Sequence, residues 1–472
     1  MITISCSKDL YTYNAYHLAK AFFPEQKAKV FTDPSKSGSV IFDINGKSIF
    51  IPEYSSKDEV DKNIYSALST LTGKTLPWGL LTGVRPVKPA MAKLKQGMGK
   101  EEFVNWYGKE KLVSKEKAAL AFDIAKAELN ILNEIRGKEG GWEDTASIYI
   151  GIPFCPSICS YCSFSLGTVS RYADKTDDYI KALCREIEGV SKLCKGKSIT
   201  SIYIGGGTPG VLSPAQLEEL MQCIAENIDT GGLKEFCFEA GRPDTITKEK
   251  LDILKKYRVN RICVNPQTMQ QKTLDKVGRK YETGKVYEAF DAARQAGFDN
   301  INMDLIAGLP GECRADMADT LEKVLALSPD SLTVHALSIK RRAAMESINV
   351  PADEVIKMTD LAYEKAKAAG MKAYYLYRQK NIAGNFENLG YAKPGKEGLY
   401  NILTMEEVQT IFGLGAGADT KVVLKEAVPN PARGGKAARI LRCSNIKDVD
   451  GYINNIEEMM ERKELLLRSG GS

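Results

Sequence analysis

Hydrophobic and polar positions along this chain follow two periods in turn. The stretch "SVIFDINGKSIFIPE" alternates apolar and polar residues around Asn45-Gly46, which predicts a hairpin with a two-residue turn inside a small α/β unit covering about the first 75 residues. After "LLTGVRPVKPAMAKL", a helical pattern is predicted from Glu101 to about Lys138; it ends in "GKEGGWEDT", a Gly-rich polar stretch that marks a boundary. From Ala146 short apolar strands alternate with helices. "SIYIGIPF" precedes a helix from Asp177 to Cys194, and "SIYIGGG" precedes one opened by Ser213-Pro214. "KEFCFEAG", "NRICVNPQ" and "NINMDLIAGLP" precede helices after Thr247, near Gln271 and after Glu312, and "SLTVHALSI" closes the series. A last helix is expected from Asp353 to Gly370, before a Gly- and Asn-rich region of loops over a few strands.

Ile- and Val-rich strands spaced by helices imply a parallel sheet of βαβ units. About six in a row give an α/β fold with a partial (β/α)6 barrel, whose chemistry is expected at the C-terminal ends of the strands. Ser213 with Pro214 behind it, and Thr247, carry the signals of helix N-caps. Three units follow: 1–140, an N-terminal α/β and helical domain; 146–345, the barrel core; and 351–472, a smaller C-terminal α+β domain that would cover the substrate.

Composition narrows the function. Of 472 residues, 43% are hydrophobic, as in ordinary globular proteins, and the net charge of +5 comes from 65 basic and 60 acidic residues mixed along the chain. That mixing argues against a nucleic-acid surface. The N-terminus lacks a basic segment followed by an apolar run, and no stretch approaches membrane-spanning length, so a cytoplasmic protein without membrane contact is expected. Eleven cysteines, an odd number, point to reduced thiols and a metal centre rather than a disulfide framework. With only His17 and His335 present, histidine-based zinc or acid–base chemistry has few candidates.

The chemistry concentrates in "IPFCPSICSYCSF", where Cys155, Cys159 and Cys162 make a C-x3-C-x2-C run directly after the first barrel strand. Thiolates select soft metals. A zinc site of this kind usually brings a second C-x2-C or a histidine pair, and neither is visible. Three thiolates on one loop suit a 4Fe-4S cubane whose fourth iron stays open for a ligand. Cys184, Cys194, Cys223, Cys237 and Cys263 fall inside helix or strand patterns and read as small core residues.

This loop, with "YIGIPFCPSICSYC" and "IYIGGGTP", resembles the radical S-adenosylmethionine (SAM) superfamily, and within it the oxygen-independent coproporphyrinogen III oxidase group. The wider resemblance covers about Ser147 to Leu337. "TGVRP", "HALSIKRR" and "YYLYRQKNIAGNFENLGYAKPGKEGLYNILTMEE" resemble the HemZ-type coproporphyrinogen dehydrogenase branch. The resemblance implies that Cys155, Cys159 and Cys162 hold the cluster and that the open iron chelates SAM, in one copy or two. It places Tyr149 by the cluster, Tyr161 by the adenine, and Gly205, Gly206, Gly207 and Thr208 at SAM's methionyl end, where close backbone approach needs glycine. Glu239, Gln267, Arg279 and Asp304 complete the polar set, Arg279 for the SAM carboxylate and Asp304 for the ribose; Gly308-Leu309-Pro310 would flank the adenine. Tyr149, Glu239 and Arg279 stand as the implied catalytic residues.

In that family one electron from the cluster cleaves SAM, and the resulting radical removes hydrogen from a propionate side chain, whose carboxyl group leaves as carbon dioxide while one electron passes to an acceptor, giving a vinyl group. A porphyrinogen with four propionates needs cationic clamps, for which Arg341, Arg342, Arg378 and Arg85 are candidates. The expected electron donor is reduced flavodoxin or ferredoxin, and the expected state a monomer.

The sequence departs from the group in places. Ser163 and Phe164 follow Cys162 where a fourth cysteine often stands, and Gly151 precedes Ile152 where the group often has histidine. In "GLYNILTM" Tyr400 stands where the haem-chaperone branch carries its histidine. Three functions follow: an anaerobic coproporphyrinogen III decarboxylase; another radical SAM enzyme, such as a methyltransferase or a haem-degrading enzyme; and a haem- or cluster-transfer protein without turnover.

Overall fold

A computed structural model describes residues 1–469 apart from 25, 36–37, 84, 137–140, 339–342, 346–349, 379–386 and 431–434. The N-terminal strands β1 (Ile2–Cys6), β2 (Ala28–Thr32), β3 (Val40–Ile44) and β4 (Lys47–Ile51) form a sheet in the order β2-β1-β3-β4. β1 and β2 are parallel, and β3 and β4 are the hairpin read from the alternation. Its turn residues Asn45 and Gly46 both have positive φ, 50° and 81°, the twist that a two-residue hairpin turn requires. Helices Asp9–Phe22 and Lys57–Thr72 close this unit over its own core of Ile2, Ile4, Leu18, Phe42 and Ile64.

The helical stretch after it is broken, contrary to a single run from Glu101 to Lys138. Helices Lys100–Lys111 and Lys115–Arg136 meet at Leu112, which turns to φ 56°. Ser114 restarts the second helix by accepting a hydrogen bond from the Lys117 amide at 3.2 Å.

The central sheet follows. β5 (Thr145–Ile152) leads through the short parallel pair β6 (Phe154–Cys155) and β7 (Gly167–Thr168) to β8 (Ser198–Gly206), β9 (Glu235–Gly241), β10 (Arg261–Val264), β11 (Ile301–Ala307) and β12 (Ser331–Ala336). β5 and β8 to β12 lie side by side, parallel, in chain order, with helices between them. The expected caps form: Ser213 and Gln216 make a reciprocal capping box with Pro214 in the first turn, and Thr247 accepts from the Lys250 amide. Later strands extend both edges. β14 (Glu387–Ala392) pairs antiparallel with β12 and carries β13 (Lys372–Arg378) antiparallel on its outer side, while β15 (Thr410–Leu414) pairs parallel with β5 and is followed by the antiparallel β16 (Asp419–Pro429) and β17 (Ala437–Ser444). The result is an α/β fold on an eleven-stranded, largely parallel sheet.

Two polar clusters fix this C-terminal region to the core. Glu235 accepts from the amides of Leu399 and Tyr400 at 2.8 and 2.9 Å, capping helix Leu399–Glu406 with a carboxylate. Glu186 and Lys463, both fully buried, pair at 2.6 Å, and Glu186 also accepts from Gly415 and Asn445. Among the described residues no helix is long and apolar enough to cross a membrane.

Candidate active site

At the C-terminal ends of the parallel strands lies a cavity of about 340 Å³. β5 delivers Tyr149 and the cysteine loop, β8 delivers Tyr203 and the Gly206-Gly207-Thr208 turn, β9 delivers Glu239, and β11 and β12 deliver Asp304 and His335. Cys155, Cys159, Cys162, Tyr161, Gln267 and Arg279 share the same wall. Gly205 sits just behind it, and a Cβ there would lie 2.8 Å from the Tyr203 ring. Gly308 is also outside the lining; Leu309 beside it joins Val277, Ile306 and Leu337 in a small apolar cluster against which Tyr161 packs.

The cysteine loop is tied on several sides. The Thr208 hydroxyl donates to the Cys155 sulfur at 3.3 Å, and the Phe164 amide to the Cys162 sulfur at 3.4 Å. Gly207 and Thr208 donate their amides to the Ile152 and Phe154 carbonyls at 2.7 and 2.8 Å. A side chain at Gly207 would put its Cβ 2.5 Å from the Phe154 oxygen, so glycine is required. Gly206 is held at φ 111°, outside the range of ordinary side chains.

The acidic groups are in different electrostatic states. Burial pushes the Glu239 carboxyl up to about 7, although Tyr203 donates to it. Burial alone would raise Asp304 too, but the nearby His335 and the hydrogen bond from Asn302 outweigh it and hold that carboxyl below its usual range. The Asn302 bond is 2.7 Å, and the His335 imidazole stands 3.9 Å from Asp304 with Tyr377 on its other nitrogen. Below Glu239 the rings of Tyr149, Tyr203 and Tyr400 stack, Tyr203 and Tyr400 with centroids 4.6 Å apart.

Several buried polar atoms around this cavity have no hydrogen-bond partner: the Tyr161 hydroxyl, the Asn265 and Gln267 side-chain oxygens, and Arg279 Nε. Gln267 is also held at φ 68°, rare for a side-chain residue and locked by backbone bonds to Asp304 and Ile306. Unpaired buried polar groups concentrated on one cavity wall mark a place where a polar ligand completes the bonding.

Two proposed clamps lie elsewhere. Arg85 pairs with Glu407 at 2.6 Å and also bonds the Met405 carbonyl, and Arg378 donates to the Leu81 carbonyl at 2.7 Å; neither lines the cavity. Arg341 and Arg342 lie outside the described residues. The structure adds residues that the sequence reading did not single out for the site: Tyr203, Arg242, Asn265, His335 and Tyr377. Arg242, Asn265 and His335 sit at or just beyond strand ends, where the barrel rule could have found them; Tyr377, on an antiparallel edge strand, had no such signal.

A family model described as the radical SAM superfamily matches residues 149–324, the segment that builds most of this cavity. The chain is 37% identical over 415 residues to the oxygen-independent coproporphyrinogen-III oxidase-like protein HemZ of Bacillus subtilis (strain 168), covering 86% of this chain and 80% of that protein. It is 32% identical over 280 residues to the heme chaperone HemW of the same organism, covering 58% of this chain and 70% of the chaperone. The solved coproporphyrinogen III oxidase HemN of Escherichia coli shares the fold, with a TM-score of 0.54 at 21% identity over 70% of this chain and 73% of that one. The chain belongs to the oxygen-independent coproporphyrinogen-III oxidase-like family of radical SAM proteins.

That family implies a 4Fe-4S cluster and SAM. The residues present fit both: three thiols line one cavity, hydrogen-bond donors reach each sulfur, and unpaired polar atoms face a volume within the range of small-ligand sites. Among the described residues no three acidic, histidine or cysteine side chains converge as a ready cage for a single metal ion.

Proposed function

We propose that the protein is an anaerobic, SAM-dependent coproporphyrinogen III dehydrogenase, converting two propionates to vinyl groups to give protoporphyrinogen IX. The observation that carries this reading is the convergence of Cys155, Cys159, Cys162, Glu239, Gln267 and Asp304 on one cavity whose polar wall is unsatisfied. When bound, the cluster and SAM supply a primary carbon radical, an oxidant that no side chain can provide. The three cysteines hold the cluster. Gly206, Gly207, Thr208 and Glu239 receive SAM's methionyl end, Asp304 its ribose, and Tyr161 its adenine. Tyr203 orients Glu239, and His335 with Asn302 keeps Asp304 anionic so that it can accept hydroxyl hydrogens.

Each vinyl group formed consumes one radical, so two propionates require two SAM cleavages. The chemistry also calls for a low-potential one-electron donor, which we assign to reduced flavodoxin or ferredoxin, and we assign the chain to the cytoplasm as a monomer. Eleven unpaired cysteines accord with a reducing compartment.

The similarity to a heme chaperone favours a second reading, porphyrin binding without turnover. Tyr400 weighs against it. This residue stacks on Tyr203 and Tyr149, and its amide donates to Glu235, so its ring is held in the tyrosine stack beside Glu239 as a structural element. Anaerobic incubation of the cluster-loaded protein with SAM, reductant and coproporphyrinogen III decides between the readings. Successive loss of two carboxyl groups with their hydrogens supports the dehydrogenase; tight binding with unchanged porphyrin mass supports the carrier.

A further inference from the structure

The middle of the cysteine loop is held by bonds that lie wholly within the chain. Cys155 is fixed by the pairing of β6 with β7. Cys159 and Cys162 lie beyond that pair, and the Cys162 amide donates to the Cys159 carbonyl at 3.0 Å, so the place of both follows from residues 157–160. Ser157 and Ser160, on either side of Cys159, carry the anchors. The Ser160 amide donates to the Val277 carbonyl at 3.0 Å, and the Ser157 hydroxyl donates to the Gly278 carbonyl at 2.8 Å. Ser157 is oriented in turn by Arg242, whose Nη1 donates to the same hydroxyl oxygen.

Arg242 is only 3% exposed, and its surroundings fix the guanidinium in one orientation. Its Nε and Nη2 form a bidentate pair with Asp244 at 2.9 and 2.7 Å, which balances the charge. Its guanidinium carbon lies 5.5 Å from the centre of the Tyr281 ring, and the Tyr281 hydroxyl donates to the Pro266 carbonyl at 3.0 Å. A planar fork can grip a carboxylate and reach a hydroxyl at once, whereas the point charge of a lysine cannot serve both. Fixing the backbone of one loop residue costs about 1–2 kcal/mol. A loop already ordered by such bonds therefore holds its ligand more tightly than one that must be ordered on binding.

We propose that Arg242 is a positioning residue for the cluster: through Ser157 it locks the step from Cys155 to Cys159, so that the three thiols keep their arrangement and the assembled cluster is retained. This inference rests on the cluster assignment made above. The Arg242–Asp244 pair and Ser157 act as one latch, which joins the end of β9, the cysteine loop and the Val277-Gly278 turn. The latch governs retention of the cluster and leaves the SAM contacts to other residues.

The test is the anaerobic transfer of iron from the reconstituted protein to a chelator, followed by the fading of the cluster's visible absorbance. It compares the wild type with Arg242→Lys, Ser157→Ala, the double variant of these two, and Ser157→Thr; SAM affinity of the loaded proteins is measured alongside. Arg242→Lys and Ser157→Ala should each lose the cluster about tenfold faster than the wild type, the scale of one hydrogen bond to a charged group. The double variant should be no faster than either single one, because both break the same latch. Ser157→Thr keeps the hydroxyl and should retain the cluster as the wild type does, and the loaded variants should bind SAM with wild-type affinity. Wild-type retention in Ser157→Ala overturns the proposal, as does a double variant whose effect is the product of the two single effects. Equal cluster loss in Ser157→Thr and Ser157→Ala also overturns it, since the hydroxyl would then play no part. Lost SAM affinity with unchanged cluster retention overturns it in favour of a ligand-contacting Arg242. If Arg242→Lys does not fold, the comparison of Ser157→Ala with Ser157→Thr decides alone. A wild type that assembles no cluster would instead sink the functional reading on which the proposal rests.

Discussion

Tyr203 donates its phenolic hydrogen bond to the carboxylate of Glu239 across the neighbouring strands β8 and β9, in a cavity where burial lifts that carboxyl to about 7. A group so placed changes charge within the working pH range. Without ligand, its raised value favours the protonated form, so the stability it contributes falls as pH rises from the ordinary glutamate range through about 7. If Glu239 receives the SAM ammonium, ligand affinity runs the opposite way: binding should strengthen roughly tenfold between pH 6 and 8, because about one carboxyl in ten is ionised a unit below its pKa. Calorimetric titration of SAM at several pH values checks this, and Glu239→Gln should be weak at every pH and flat.

Gly207→Ala should remove SAM binding by more than about tenfold, roughly 1.4 kcal/mol, while leaving the protein folded. The added carbon meets the Phe154 carbonyl at 2.5 Å and pushes apart the turn and the cysteine loop. Gly196→Ala is the control. Its φ of 86° is strained but nothing lies within 4 Å, so stability should drop by about 1 kcal/mol with SAM binding intact.

Lys463→Ala leaves Glu186 buried without its cation and should cost about 3–5 kcal/mol in urea unfolding. The double variant Glu186→Gln, Lys463→Met should recover part of that loss, since it removes both charges together. A double variant no better than the single one would show that the pair's geometry, not its charge balance, holds the C-terminal helix Ile456–Ser469 to the core.

Arg85→Ala and Arg378→Ala should lower unfolding midpoints without changing KM for the porphyrinogen. Arg85 joins the N-terminal region to Glu407, and Arg378 holds the Leu81 carbonyl, so each ties distant parts of the chain together rather than facing substrate. A rise in KM with unchanged stability would return them to the substrate site.

Much of this was legible in the sequence because the signals were local. The period-two strands, the Ser213 and Thr247 caps, the Asn45-Gly46 turn and the spacing of Cys155, Cys159 and Cys162 each depend on a few neighbouring residues. Strand-end placement then brought Glu239 and Asp304 to the same cavity. What the sequence hid was set by distant contacts. The break at Leu112 lacks Gly or Pro, and a leucine at φ 56° is tolerated because its amide bonds Gly108 and the side chain packs against the N-terminal core. β15 reads as an ordinary apolar segment, and only its pairing with β5, more than 250 residues earlier, shows that it extends the central sheet. Arg279 lines the cavity that its motif position implied, but its contact with the Cys159 sulfur depends on how two loops meet.

The most direct test of the account is anaerobic SAM cleavage by the iron-loaded, chemically reduced protein, measured as 5′-deoxyadenosine and compared with Cys159→Ala. The account predicts nucleoside release from the wild type, with a cluster signal that changes when SAM is added, and neither in the variant. A wild-type protein that holds its iron yet releases no nucleoside, with or without porphyrinogen, would contradict it.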